Sequence, residues 1–318
     1  GWYAMDKVRF RSGFPENIGG WQKYNTNTYT DVCRSLHNWT SIAGNNYTGV
    51  GTNIRFFIEF SGAVYNITPY RLVVNPLTPA NPLNYVNGLT TVTITYANHG
   101  AATNDYILLS GVVNTACGVP DSELNTYHQI TVLDVNTFTF QVTTPATSTV
   151  ADGGAAIVLK FEASAGLPIN IIGLGWGAGT WGRGTWGSAA SSGGVVQQLG
   201  YWSQDNYGQD LVIAPTNGEV YYWTTASSVD AYGIPNADAV KLSSLPSASD
   251  CPVIVTGVIV TEENHLVALG VNAIGETEKT PMLVRWADQD NPANWTPGIT
   301  TSAGGYKLTY GDAIITAI

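Results

Sequence analysis

Charge is scarce in this sequence. Only 11% of its 318 residues are Asp, Glu, Lys or Arg, against roughly 25% in ordinary soluble domains. A monomer usually disperses its surface with those residues. A chain this poor in them is expected to cover much of its surface with neighbours; the plainer alternative is a surface made polar by Thr, Asn and Ser. Positive charge is the scarcer sign: 13 Lys and Arg against 23 Asp and Glu give a formal net charge of −10. No run of Lys or Arg occurs, which argues against binding nucleic acid by phosphate neutralisation.

Cysteine is nearly absent. Cys33, Cys117 and Cys251 are far apart and form no CxxC pair, so a disulfide framework or thiolate metal site is not expected, and all three read as buried small apolar residues. No apolar stretch approaches the ~20 residues of a membrane span. The opening Gly1-Trp2-Tyr3-Ala4 lacks the basic-then-apolar pattern of a secretory signal. It also lacks an initiator Met, from which the sequence is expected to be part of a longer product. The histidines His37, His99, His128 and His265 show no zinc-binding spacing. There is no Gly-x-Ser-x-Gly elbow, and Glu262-Glu263 reads as a solvated turn tip. Asp288-Gln289-Asp290-Asn291-Pro292 lacks the Gly and distal Glu of a calcium loop and reads as a turn capped by its own side chains. Neither a catalytic set, a cofactor site nor a metal site is expected. The sequons at Asn38, Asn46, Asn66 and Asn294 are what an Asn- and Thr-rich chain shows by chance.

Helical periodicity is also missing. What fills the chain is short β-branched and aromatic runs broken by Gly, Asn, Asp and Pro. A run from Asn53 to Phe60, the turn Ser61-Gly62 and a second run from Ala63 to Ile67 read as a hairpin. The pattern recurs at Asp210–Ala214 with Glu219–Trp223, and at His265–Gly270 with Pro281–Trp286. A fourth copy is expected to begin at Tyr306-Lys307-Leu308-Thr309 and stop at the chain end. Leu211 and Leu266 are 55 residues apart, whereas Ile54 and Leu211 are 157 apart, so segment 71–165 reads as an insert. Hairpin units at such spacing are how β-propeller blades look in sequence; the alternative is a row of β-sandwich modules. The insert shows strands over 91–97, 105–110, 127–133, 137–142 and 155–161, preceded by a proline-rich, extended connector at 75–82. The fold class expected is all-β: first blade or blades in 1–70, an inserted β-sandwich in 71–165, and further blades in 166–318, incomplete at the C-terminus.

The most unusual local feature is Gly173 to Gly187, in which Trp176, Trp181 and Trp186 recur every five residues between glycines, with Arg183 among them. No helical pattern follows, so its Gly-x-Gly-x-x-Gly match is not a nucleotide loop. Trp176, Trp181, Arg183 and Trp186 read either as an interface loop docking on a neighbour or as rings padding the blades.

Three stretches resemble a known family. Asp6-Lys7-Val8-Arg9-Phe10-Arg11-Ser12-Gly13-Phe14-Pro15-Glu16-Asn17-Ile18-Gly19-Gly20-Trp21 is similar to its opening motif; Gly51 to Pro69 is similar to a blade; so are Trp202-Ser203 with Leu211 to Trp223, and Arg285-Trp286-Ala287-Asp288 to Pro297. The family is the β-propeller tail nozzle of short-tailed bacteriophages. The resemblance implies a virion structural protein without catalytic residues, assembled as a hexameric ring. Such a ring lies below the portal and adaptor, carries tail fibres as partners, and passes genomic DNA without specific binding. An acidic wall suits such a conduit, since it repels the duplex. A receptor-binding tail tip or spike is the second expectation, and a propeller glycosidase or lyase the third.

Overall fold

A computed structural model describes residues 7–19, 23, 26–29, 31–166 and 199–315. Nearly all regular secondary structure in the described residues is antiparallel strand; the exceptions are one helical turn, Asp121–Leu124, and a 3-10 turn, Leu242–Ser244. β1 (Val8–Arg11) and β2 (Phe14–Asn17) form a separate hairpin whose turn residues, Ser12 and Gly13, both have positive φ, as a tight two-residue hairpin turn demands. A first four-stranded meander follows, made of β3 (Cys33–Thr40), β4 (Asn46–Thr52), β5 (Phe56–Phe60) and β6 (Ala63–Asn66).

The next strands build two sheets around one core. They are β7 (Tyr70–Val74), β8 (Leu83–Tyr85), β9 (Thr91–Thr95), β10 (Tyr106–Ser110), β11 (Tyr127–Gln129), β12 (Thr131–Val132), β13 (Thr137–Gln141), β14 (Val150–Asp152) and β15 (Val158–Glu162). One sheet has the order β11-β10-β15-β7 and the other β12-β13-β9-β8-β14. Period-2 alternation supplies the core from both: Ile107 and Leu109, Leu159 and Phe161, Val92 and Ile94, Phe138 and Phe140 all point inward. This is the inserted sandwich.

Two further meanders complete the fold. One is β16 (Trp202–Tyr207), β17 (Asp210–Pro215), β18 (Tyr221–Trp223) and β19 (Val240–Lys241); the other is β20 (Gly257–Val260), β21 (Leu266–Leu269), β22 (Leu283–Trp286) and β23 (Gly304–Lys307). The three meanders stack face to face as blades with their first strands together. Blade 2 lies in the middle, so β17 is apolar on both faces. Leu211 and Ile213 pack with Phe56 and Ile58 of blade 1, while Val212 and Ala214 pack with Val258, Leu266 and Ala268 of blade 3. Each larger aliphatic buried here is worth about 1.5–3 kcal/mol. Among the described residues the blades do not close a ring.

Several expectations need correction. Tyr306 and Lys307 do not open a fourth blade; Leu283 pairs with Lys307 and Val284 with Tyr306, so they end the third. The first hairpin read from sequence, β5 with β6, is strands three and four of its blade, whereas β17–β18 and β21–β22 are strands two and three. The 157-residue spacing therefore compared unlike strands. The run at 127–133 divides at the buried Ile130 and serves both sheets. The proline-rich stretch is no spacer, because Leu77 sits in the sandwich core and its N–H bonds Ile157 O at 2.7 Å. Cys117 is buried, but Cys33 is exposed.

Candidate functional site

The interface loop expected from sequence, with Trp176, Trp181, Arg183 and Trp186, lies outside the described residues. The chemistry that is described gathers at the junction of the sandwich with blades 1 and 2. The outer face of sheet β11-β10-β15-β7 carries Tyr70, Tyr106, Tyr127, Lys160 and Glu162, all turned away from the sandwich core. Arg55, in the turn between β4 and β5, enters this face. Its Nε donates to Glu162 Oε2 at 2.8 Å, and the two side chains are only 13% and 2% exposed. The guanidinium also lies 4.0 Å from the centre of the Tyr106 ring and 5.0 Å from that of Tyr127, an attractive placement of a cation over π-faces. Tyr70 and Tyr127 share a hydroxyl hydrogen bond of 3.0 Å, and Lys160 lies over the Tyr70 ring.

Burial pushes the Glu162 carboxyl above its ordinary range, against the opposing pull of Arg55. Asp238 of blade 2 is likewise raised by burial, countered by the Tyr70 hydroxyl and Lys160. Beside it opens a cleft of about 370 Å³ between Val64–Asn66 and residues 235–238. Within the sandwich itself, Arg71 donates to His99 O at 3.0 Å, lies over Phe161, and sits within the field of Asp105. Sequence reading missed all of this, because Arg55 and Glu162 are 107 residues apart. A lone Arg in a turn carries no signal of its partner. What the arrangement does is hold the sandwich in one orientation on the blades.

The remaining polar candidates are satisfied locally. Among the described residues no group of three or more His, Cys, Asp or Glu is placed to hold a metal ion. Asp288 Oδ1 accepts from Gln289 N, Ser302 N and Ser302 Oγ, which is a turn cap. His99 is buried against Phe138 and Phe161 with Nε2 2.9 Å from Asp134 O; His265 Nδ1 is 2.9 Å from Ala287 O. Asp152 holds a loop: its carboxylate accepts from the N–H groups of Thr115, Ala116, Cys117 and Gly153. Burial raises this carboxyl, but the four N–H donors outweigh it and hold it at about 2.

Among the described residues three surfaces are open. The face of blade 1 away from blade 2 bears a groove of about 640 Å³ lined by Tyr29, Phe60, Asn46, Thr48 and Glu59. The opposite end of the stack carries Tyr306 (61% exposed) and Tyr310 (92%). The β1–β2 hairpin is exposed along nearly its whole length. No described helix is long and apolar enough to cross a membrane.

No protein-family model and no curated protein matches this sequence. Among solved structures the chain is similar to the phage phi92 endosialidase, with a TM-score of 0.24 and 12% identity over 89% of this chain and 39% of that one. The chain thus spans about two fifths of that protein's length, and at this score the likeness carries no argument.

Proposed function

We propose that this chain is a structural subunit of a short phage tail: a nozzle protein that assembles into a ring, hexameric as in the family it resembles, and lengthens the DNA conduit below portal and adaptor. The observation that carries the reading is the blade stack itself. Its middle blade is buried on both faces, while the outer blades end in faces with no fourth blade against them among the described residues. Exposed apolar residues such as Leu36 and Tyr310 lie at those ends, in a chain with only 11% charged residues. Such ends suit contact with other chains. The net charge of −10 suits a wall along which DNA slides. Sedimentation and negative-stain imaging of the purified protein, alone and with adaptor rings, test this. A monomer at every concentration that never joins adaptor rings refutes it.

A receptor-binding tail tip is the second reading, supported by the groove on blade 1, where two aromatic rings stand beside amide, hydroxyl and carboxylate groups. Glycan arrays and cell-adsorption assays test it, and absence of any signal counts against it.

A further inference from the structure

The cations of this chain do not run consecutively, but the hairpin gathers three of them. Val8 pairs with Asn17, Arg9 with Glu16, Phe10 with Pro15 and Arg11 with Phe14, and Ile18 N donates to Lys7 O. Directly opposed residues share a face. One face therefore carries Lys7, Arg9 and Arg11 with Phe14 and Ile18, the last two 76% and 52% exposed. Its one carboxylate, Glu16, is taken by Arg9 Nε at 3.0 Å. This exposed face combines cations with large apolar side chains, so the partner that suits it is both acidic and apolar.

The far end of the stack offers one. The β20–β21 turn presents Glu262 and Glu263. The neighbouring loop brings Asp290 beside them, with Asp290 N bonded to Asn264 O and Asn264 Nδ2 to Asp290 Oδ1. Loops 261–265 and 288–291 contain no Lys or Arg. The outer face of blade 3 continues from them as Ile259, Val267 and Trp286, aligned across the strands and only half-buried.

We propose that the β1–β2 hairpin is a docking arm whose basic face seats on the acidic end of blade 3 in a second copy of this chain. Blades 1 and 3 lie on opposite faces of blade 2, which places a chain's own acidic end across the stack from blade 1. The contact is head to tail, the kind that builds rings or filaments. Duplex DNA is the poorer occupant, since phosphates offer nothing to Phe14 and Ile18 and the net charge repels it. The proposal rests on the assembly part of the reading above and names the contact that makes it.

Sedimentation equilibrium of the full chain at low and high salt is the test. The variants are Lys7→Glu/Arg11→Glu, Glu262→Lys/Glu263→Lys, and all four changes together. All four side chains are exposed, and circular dichroism checks the fold of each variant. Exposed ion pairs are worth up to ~1 kcal/mol each, so each double reversal is expected to weaken self-association by about tenfold or more. The fourfold variant restores it to within about threefold, and salt weakens only the wild type and the fourfold variant. Association that ignores both reversals overturns the arm and leaves the ring reading standing. A wild type that is monomeric at all concentrations overturns the arm, and one that in addition never joins adaptor rings overturns both. A band shift on duplex DNA that Lys7→Glu/Arg11→Glu abolishes, with self-association untouched, overturns it in favour of nucleic acid.

Discussion

Replacing Arg55 by Met leaves Glu162 buried without a counter-charge, and the consequence can be sized. The Glu162 side chain is 2% exposed, so water cannot take over the role of the guanidinium. Removing one member of such a pair costs about 3–5 kcal/mol. The pH dependence has a definite sign. Burial raises the folded-state pKa of Glu162 above its ordinary 4.5, so the native state holds this proton more tightly than the unfolded chain. The stability it contributes is full below 4.5 and is lost as pH rises through the raised value. Without Arg55 the pull toward ionisation disappears and the native pKa climbs further, so the variant suffers more at pH 7 than at pH 4. Urea unfolding followed by circular dichroism, with hydrogen exchange at β10 and β15 to localise the effect, measures this. The double variant Arg55→Met/Glu162→Met is expected to recover to within about 1 kcal/mol of the parent, since a matched apolar pair removes both desolvated charges. A single-variant loss of about 0.5 kcal/mol or less, the scale of surface substitutions, or a loss equal at both pH values, refutes the account of the junction.

Other changes follow from the same geometry. Gly51→Ala puts a methyl group against Ser35 Oγ and 2.8 Å from Trp202 Cβ and Cδ1; a loss of about 1–3 kcal/mol by overpacking is expected in urea titration. Trp202→Phe removes an indole whose Nε1 donates to Thr52 O at 2.7 Å between blades, leaving that buried carbonyl unpaired at a cost of about 1–3 kcal/mol. Asp152→Asn turns an NH₂ toward backbone donors and is expected to cost about 1–3 kcal/mol. The Asp152 pKa is depressed, so its contribution is present above 3.8 and fades only as pH falls through about 2. Acid unfolding monitored by tryptophan fluorescence separates this from the Glu162 effect, which has the opposite sign.

The strands that sequence reading found are those with an apolar period. β17 and β21 sit between or against other sheets, and β9 and β13 alternate cleanly, so they were legible. The first strand of each blade was not. β16 reads Trp-Ser-Gln-Asp-Asn-Tyr and β3 reads Cys-Arg-Ser-Leu-His-Asn-Trp-Thr, compositions that favour turns and caps in isolation. That blindness put the repeat out of phase in blade 1 and turned β23 into the start of a fourth blade. The candidate site was illegible for a different reason. Arg55, Tyr70, Tyr106, Glu162 and Asp238 meet only through tertiary packing, and none belongs to a local pattern. The basic face of the hairpin was hidden by alternation: Lys7, Arg9 and Arg11 are not a run until a strand puts them on one side.

The polar first strand of the middle blade explains how blades so poor in charge still find one arrangement. β16 alternates its attention with period two. Trp202 reaches Thr52 O and Asn206 meets His37 Nε2 at 3.1 Å, both in blade 1. The odd residues turn the other way: Ser203 Oγ donates to Val258 O at 3.0 Å, Asp205 Oδ2 accepts from Val260 N at 2.7 Å, and Tyr207 OH donates to Asn264 O at 3.0 Å, all in blade 3. Apolar faces alone tolerate sliding, because Leu against Ile is much the same a residue later. A row of side-chain bonds to named backbone groups does not, since a one-residue slip turns each side chain to the wrong blade and leaves several buried polar groups unpaired at about 1–3 kcal/mol each. The hydrophobic layers thus supply most of the stability and the polar strand at the centre supplies the register. Among the described residues the outer blades have only one side of that arrangement satisfied, and the proposed assembly would use their free faces.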